Sequence, residues 1–536
     1  MVRSINKGVL AVTIFCVIAL YLPISAKSEL LFLTSNNCSF CHSSDYDALV
    51  DSKGNDLSIF HDWESTMMAN AFRDPLFRAK LESERLRNQN IAEIIEDKCT
   101  TCHTPMARTQ ALLDGSVLYS LAAAETSDLA HDGVSCTLCH QIQDNKLGNL
   151  ENFTGRYAID GRREIYGPYK GVFPTPMLNH VNYLPVYGKQ IKESALCATC
   201  HTLFTPYLDD AGNVAGEFPE QTPYLEWLNS IYASETHAQS CQDCHMPRID
   251  EPIKITRRPP WFQERRSPFW RHHFTGGNTL MLTMMKANTE SIGTTAAAVQ
   301  FQKTIQRTEK RLANEAAEIS VAVAERSQQR IRLKVAVENN TGHKFPSGFP
   351  SRRAWVRIQV KDNKADILFD SGHWNKNGEI TAAAIGFKPH YDTITSSDQV
   401  QIYEAIMGDV NDHVTYTLLR AAKYLKDNRL VPKGYLASGP MSQYTAIAGK
   451  VTIDENFNKE AGQEGTGIDI ITYDIPLAHA QFPLIIKSQL LYQTASPRFI
   501  DDLIGDTTPA TSQFAKMYAK MEKKPVIIDS STFRIE

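Results

Sequence analysis

Cys-x-x-Cys-His occurs five times between residues 38 and 245. The copies are Cys38-Ser-Phe-Cys41-His42, Cys99-Thr-Thr-Cys102-His103, Cys136-Thr-Leu-Cys139-His140, Cys197-Ala-Thr-Cys200-His201 and Cys241-Gln-Asp-Cys244-His245. On a helical turn, residues i, i+3 and i+4 share a face, so two thiols and one imidazole point the same way. That arrangement suits two thioether bonds to haem vinyl groups, with the His as proximal iron ligand. Chance would supply about 0.01 such matches in a chain of this composition. Ten of the eleven cysteines lie in these words. Zinc ribbons use CxxC units in twos, and thioredoxin-type dithiols need no following His. Five uniform motifs therefore point to five covalently attached c-type haems.

The sixth iron position decides whether a haem carries electrons or does chemistry. Sixteen histidines leave eleven beyond the motifs. His61 follows the first motif, His131 and His237 sit shortly before the third and fifth, and His180 precedes the fourth. One of the adjacent His272 and His273 is a further candidate. His373, His390, His413 and His479 have no such setting and read as structural. Met67, Met68 and Met246 are the rival axial ligands, although core packing accounts for methionine more often.

The elements that position these groups change character along the chain. Residues 1–26 read as an export segment: Arg3 and Lys7, an uncharged apolar run from Gly8 to Leu22, and a cleavage site ending at Ala26. The run is short for a retained membrane anchor, and Cys16 within it is incidental. Residues 27–315 read as mainly helical with long connections. Asp74-Pro75 and Thr222-Pro223 are helix starts, the second carrying Tyr224 to Tyr232 towards the fifth motif. Residues 146–195 lose all periodicity, a loop long enough to need haem as its core. Five motifs in so little chain leave no room to insulate each cofactor, so the haems should form one conducting array. The net charge of −4 argues against nucleic acid, and five haems would add about −10 from propionates. Arg257, Arg258, Arg265, Arg266 and Arg271 could balance them or form a solvated basic stretch.

From residue 316 apolar residues alternate: Ile319, Val321, Val323; Ile331, Leu333, Val335, Val337; Val356, Ile358, Val360. Further strands are expected at 400–403, 413–417, 468–473 and 484–492, and helices near 418–425 and 513–520. The fold class is thus α+β, a loop-rich helical domain at 27–315 followed by a β-sandwich-like domain at 316–536.

The haem segment resembles the multihaem cytochromes c of the cytochrome c-554, hydroxylamine oxidoreductase and pentahaem nitrite reductase superfamily. His131-Asp-Gly-Val-Ser-Cys-Thr-Leu-Cys-His140, Leu196 to Thr202, Tyr224 to Ser230 and Cys241 to Pro247 carry the resemblance, over roughly residues 35–290. It implies that His273, in His273-Phe-Thr-Gly-Gly-Asn278, supplies a distal ligand in preference to His272. It also implies that His343, in Asn340-Thr-Gly-His-Lys-Phe-Pro-Ser-Gly348, reaches from a β-domain loop to a haem; such loops on rigid sheets commonly carry function. Two departures matter. No motif ends in Lys, as one does in the nitrite reductase, and the eight motifs and crosslinked tyrosine of hydroxylamine oxidoreductase are missing. The leading expectation is an exported, periplasmic or extracellular cytochrome that exchanges electrons with redox partner proteins. The alternatives are an oxidoreductase with one open haem for a small nitrogen or sulfur oxo-compound, and a subunit of an outer-membrane or extracellular conduit.

Overall fold

The computed structural model describes Met1 and residues 30–381, 386–477 and 480–536. The expected export segment, Cys16 and His479 lie outside these residues. Among the described residues no helix is long and apolar enough to cross a membrane. The fold is α+β.

The first half is built from short helices, and each motif sits on one or at its end. Cys38 to His42 close the helix Ser35–His42, Cys99 to His103 close Ala92–His103, and Cys241–His245 is a helix by itself. Cys136–Cys139 and Ser194–Ala198 carry the third motif and the start of the fourth. The expected helix starts hold. Asp74 caps Pro75–Arg87 by accepting from Leu76 N, with proline at the first helical position. Pro223–Leu228 begins as expected but stops at Leu228, short of Tyr232. The reason is tertiary: the Asn229 side chain donates to Leu436 O (2.8 Å) and accepts from Leu436 N (3.2 Å), turning the chain there. The irregular stretch 146–195 holds a short parallel pair, Glu164–Gly167 with Leu184–Tyr187, and the helix Thr175–Val181.

The second half is a two-sheet sandwich. One sheet runs Lys423–Asp427, Ile402–Gly408, Arg353–Lys361, Leu484–Gln493, Val526–Ile535, with Ile367–Ser371 also on Arg353–Lys361. The other runs Thr393–Ile394, Gln463–Pro476, Arg330–Asn339, Ala317–Arg326, with Phe457–Glu460 on Gln463–Pro476. The alternating residues Leu333, Val335, Val337, Val356, Ile358 and Val360 fill the space between the sheets, as alternation demands when one face is buried. Two expectations fail. Residues 413–417 are irregular, with a single bridge from Val414 to Gly408, because Asp409 and its side chain hold a tight turn that accepts from His413 N. Residues 418–425 give one 3-10 turn, Leu418–Arg420, and then the edge strand Lys423–Asp427; pairing with Ile402–Gly408 outweighs local helix propensity.

The chain then returns to its first half. Helices Pro497–Ile504 and Pro509–Ala519 pack on Pro75–Arg87, Thr279–Ala287 and Ala298–Arg311 through Leu76, Met281, Met285, Phe301, Phe499 and Phe514. The helical run ends before Ala317–Arg326 begins, and the two halves share this apolar core.

Candidate haem-binding site

All ten motif cysteines and all five motif histidines line one continuous cavity of about 1360 Å³. No disulfide joins the cysteines. Four of the motif histidines are oriented the same way, with Nδ1 on a backbone carbonyl: His42 on Ile255 O (2.9 Å), His103 on Ala71 O (2.8 Å), His140 on Tyr166 O (2.6 Å) and His245 on Thr275 O (2.5 Å). A carbonyl accepts only from N–H, which puts the proton on Nδ1 and leaves the Nε2 lone pair for iron. Burial keeps these rings neutral, lowering the pKa of His103 and His245 to about 4. No such carbonyl bond holds His201.

Two further histidines complete facing pairs. The rings of His245 and His343 lie 6.3 Å apart between centroids at 21°, and those of His140 and His272 lie 6.4 Å apart at 21°. Two imidazoles bound trans to one metal through Nε2 have centroids roughly 6 Å apart, given metal–nitrogen bonds of about 2 Å. Both partners repeat the carbonyl pattern: His343 Nδ1 on Lys344 O (3.0 Å) and His272 Nδ1 on Trp270 O (3.2 Å). Burial lowers the pKa of His272 to about 3 and that of His343 in the same direction. One short segment therefore serves two motifs, since Trp270 orients His272 towards the third and Thr275 orients His245 of the fifth.

The remaining candidates lie elsewhere. His273 points away from its neighbour, with Nε2 3.3 Å from Asp62, where Arg271 and Arg307 also converge. His131 spends Nε2 on Glu125 O (3.0 Å). Its segment serves packing instead. Asp132 accepts from Ser35 N and Oγ, docking the first motif's helix beside the third motif. Gly133, at φ +63°, passes within 2.6 Å of the Met68 and Ala69 carbonyls where a Cβ would stand. His61 pairs with Asp56 (3.0 Å) and His237 with Thr236 Oγ1 (3.0 Å) at the surface. His61, His131, His237 and His273 do not line the cavity, whereas His180 does, stacked on Phe40 of the first motif at 4.8 Å. Met67, Met68 and Met246 also line it. Among the described residues no histidine ring faces His42, His103 or His201.

The thiols tie the motifs together. Cys38 and Cys136, Cys102 and Cys200, and Cys197 and Cys241 lie near enough for each thiol to shift its neighbour's titration. Cys139 acts on both Cys197 and Cys200 and is itself pushed up to about 12 by burial.

Sequence reasoning did not find the network behind His343. Glu226, on Pro223–Leu228, accepts from Lys344 N (2.9 Å) and lies 3.4 Å from Arg429. Asp427 takes Lys344 Nζ (2.7 Å) and a bidentate Arg429 (2.8 and 2.7 Å). Two cations and two carboxylates, all buried, thus balance across the junction of the two halves. The Arg429 and Lys344 charges hold the Asp427 carboxyl well below the usual range. The scattered positions of these residues leave no spacing signal.

A second buried cluster has the composition of a metal site: His390, Asp454 and Asp469. Its hydrogen bonds argue otherwise. Gln401 and Asn428 both donate to His390 Nδ1 (2.7 and 3.0 Å), their amide oxygens being fixed by Tyr391 N and Glu404 N. The proton is therefore on Nε2, donated to Asp454 (2.8 Å), and His390 has no lone pair left for a metal.

Residues 37–141 match the family described as cytochrome c554 and c-prime. The fold is similar, at 14% identity and a TM-score of 0.52, to the crystal structure of a penta-heme cytochrome c552 from Thermochromatium tepidum, over 95% of this chain and 100% of that one. No curated protein sequence matches the chain. Motifs, family match and fold together support a multihaem cytochrome c with covalently bound haems, an electron-transfer protein that works with redox partners.

Proposed function

We propose that the chain is an exported pentahaem cytochrome that relays electrons through a closely packed array, with residues 27–315 as the haem domain and 316–536 as a β-domain that supplies one axial ligand. Bound haem supplies a one-electron Fe(III)/Fe(II) couple at each motif. The protein's part is to fix ten thiols on one cavity, hold the proximal imidazoles neutral with Nε2 free, and close sixth positions. The observation that carries the reading is the pair of facing imidazoles, His140 with His272 and His245 with His343. On this reading His272 takes the distal place that the resemblance assigned to His273, because His272 lines the cavity whereas His273 is held at Asp62. His180 is the remaining distal candidate, for the first motif. The nearness of the thiol pairs supports an order in which motif 1 adjoins 3, motif 3 adjoins 4, and motifs 2 and 5 both adjoin 4.

EPR of the oxidised holoprotein tests the proposal. At least two low-spin bis-His ferric signals, with haem reduction reversible in a potentiometric titration, are expected; a protein with only high-spin haem would refute it. One observation favours the oxidoreductase reading as second choice: among the described residues no histidine ring faces His42, His103 or His201. A high-spin haem that binds nitrite, hydroxylamine or cyanide would place it first.

A further inference from the structure

At the mouth of the haem cavity, beside the first motif, lies an aromatic patch: Phe173, Phe262, Arg258 and Arg266 line the cavity, while Trp261, Arg265 and Lys170 stand outside it. Phe173, Trp261 and Phe262 form a triangle with centroids 6.0, 5.7 and 6.3 Å apart. Trp261 is 68% exposed and Phe173 43%. Arg266 fastens the two segments together by donating to Lys170 O and Gly171 O, both at 3.0 Å. It also carries the patch's acidic partner, Glu264, at 2.7 Å. Arg258, Arg265 and Lys170 are exposed and form no ion pair among the described residues. The patch reaches the first motif directly: Arg257 donates to Phe40 O (2.8 Å), and the Arg258 guanidinium lies 5.8 Å from the Phe40 ring, itself 47% exposed.

We propose that this patch docks an acidic electron-carrier protein and that electrons cross there between the partner and the haem of the first motif. The inference rests on the relay reading and adds the place and the chemistry of the contact. Three arguments support it. The chain's net charge is −4, so a face of unpaired cations is a local departure that would steer an acidic partner. Exposed aromatics and arginines are the residue types that dominate interface energetics, and here they adjoin each other. Balancing the propionates of the first motif's own haem does not account for the arginines nearest that motif. Arg257 and Arg258 act on the Cys41 thiol, and in haem the vinyl-derived edge lies across the ring from the propionates.

The test is stopped-flow reduction of the oxidised holoprotein by a reduced acidic flavodoxin, with photogenerated deazaflavin radical as a small reductant that needs no docking surface. The second-order rate with flavodoxin should fall as salt rises. The double variant Lys170→Glu/Arg265→Glu should lower it at least tenfold at low salt and flatten the salt dependence, and Trp261→Ser should lower it severalfold. Reduction by deazaflavin should stay unchanged in all three proteins. Unaltered flavodoxin rates in both variants, or an equal loss with deazaflavin, would overturn the proposal. So would a shift of haem potentials without a change in salt dependence, which would return the arginines to propionate balance. Should deazaflavin fail to reduce the wild-type haems, the relay reading itself falls.

Discussion

Two histidines combine three properties that no other candidate combines: they line the cavity, donate Nδ1–H to a carbonyl, and face a motif imidazole at iron-bridging distance. If these properties define a distal ligand, His343→Ala and His272→Ala should each convert one haem from low to high spin by EPR. His273→Ala, His131→Ala and His237→Ala should leave the low-spin count unchanged. The motifs were fully legible in the sequence because attachment needs residues i, i+3 and i+4 of one turn, a wholly local requirement. Distal ligands carry no such constraint. Closeness in sequence to a motif selected His61, His131 and His237 as readily as His272, yet their ring nitrogens are engaged by Asp56, Glu125 O and Thr236. Between His272 and His273 only tertiary packing decides which side chain reaches the cavity.

At the scale of elements, alternation made the sandwich readable, since one buried face imposes period two along Arg330–Asn339 and Arg353–Lys361. The edge strand Lys423–Asp427 was not readable, because its pairing partner decides its state. That strand ends in Asp427, the acceptor beneath the His343 loop. Asp427→Asn leaves Lys344 and Arg429 buried with one carboxylate between them and should destabilise the protein by about 3–5 kcal/mol. Glu226→Ala should likewise destabilise the protein and in addition raise the high-spin fraction at the fifth motif, because the backbone next to His343 loses its anchor. The neighbouring His390 cluster predicts a pH response. Burial raises the Asp469 carboxyl to about 6, so the fold favours its protonated form. That stabilisation is present below the ordinary carboxylate pKa near 4 and is lost as pH rises through about 6. Asp469→Asn should therefore flatten the decline in melting temperature between pH 4 and 7 seen by calorimetry, and raise stability at pH 7.

At the scale of the whole molecule, the closely packed array proposed above implies collective redox behaviour. A spectroelectrochemical titration should spread over several overlapping waves, and substitutions at His343 or His272 should displace more than one of them. The fifth motif's imidazole and its partner come from opposite halves of the chain. This separation bears on biogenesis. A chain emerging from its amino terminus presents all five Cys-x-x-Cys-His words before the loop carrying His343 exists, so haem attachment can finish while the fifth iron still lacks its distal histidine. The β-domain would then act as the last step of maturation, and the full-length His343→Ala protein should carry the normal number of haems with the fifth left high-spin.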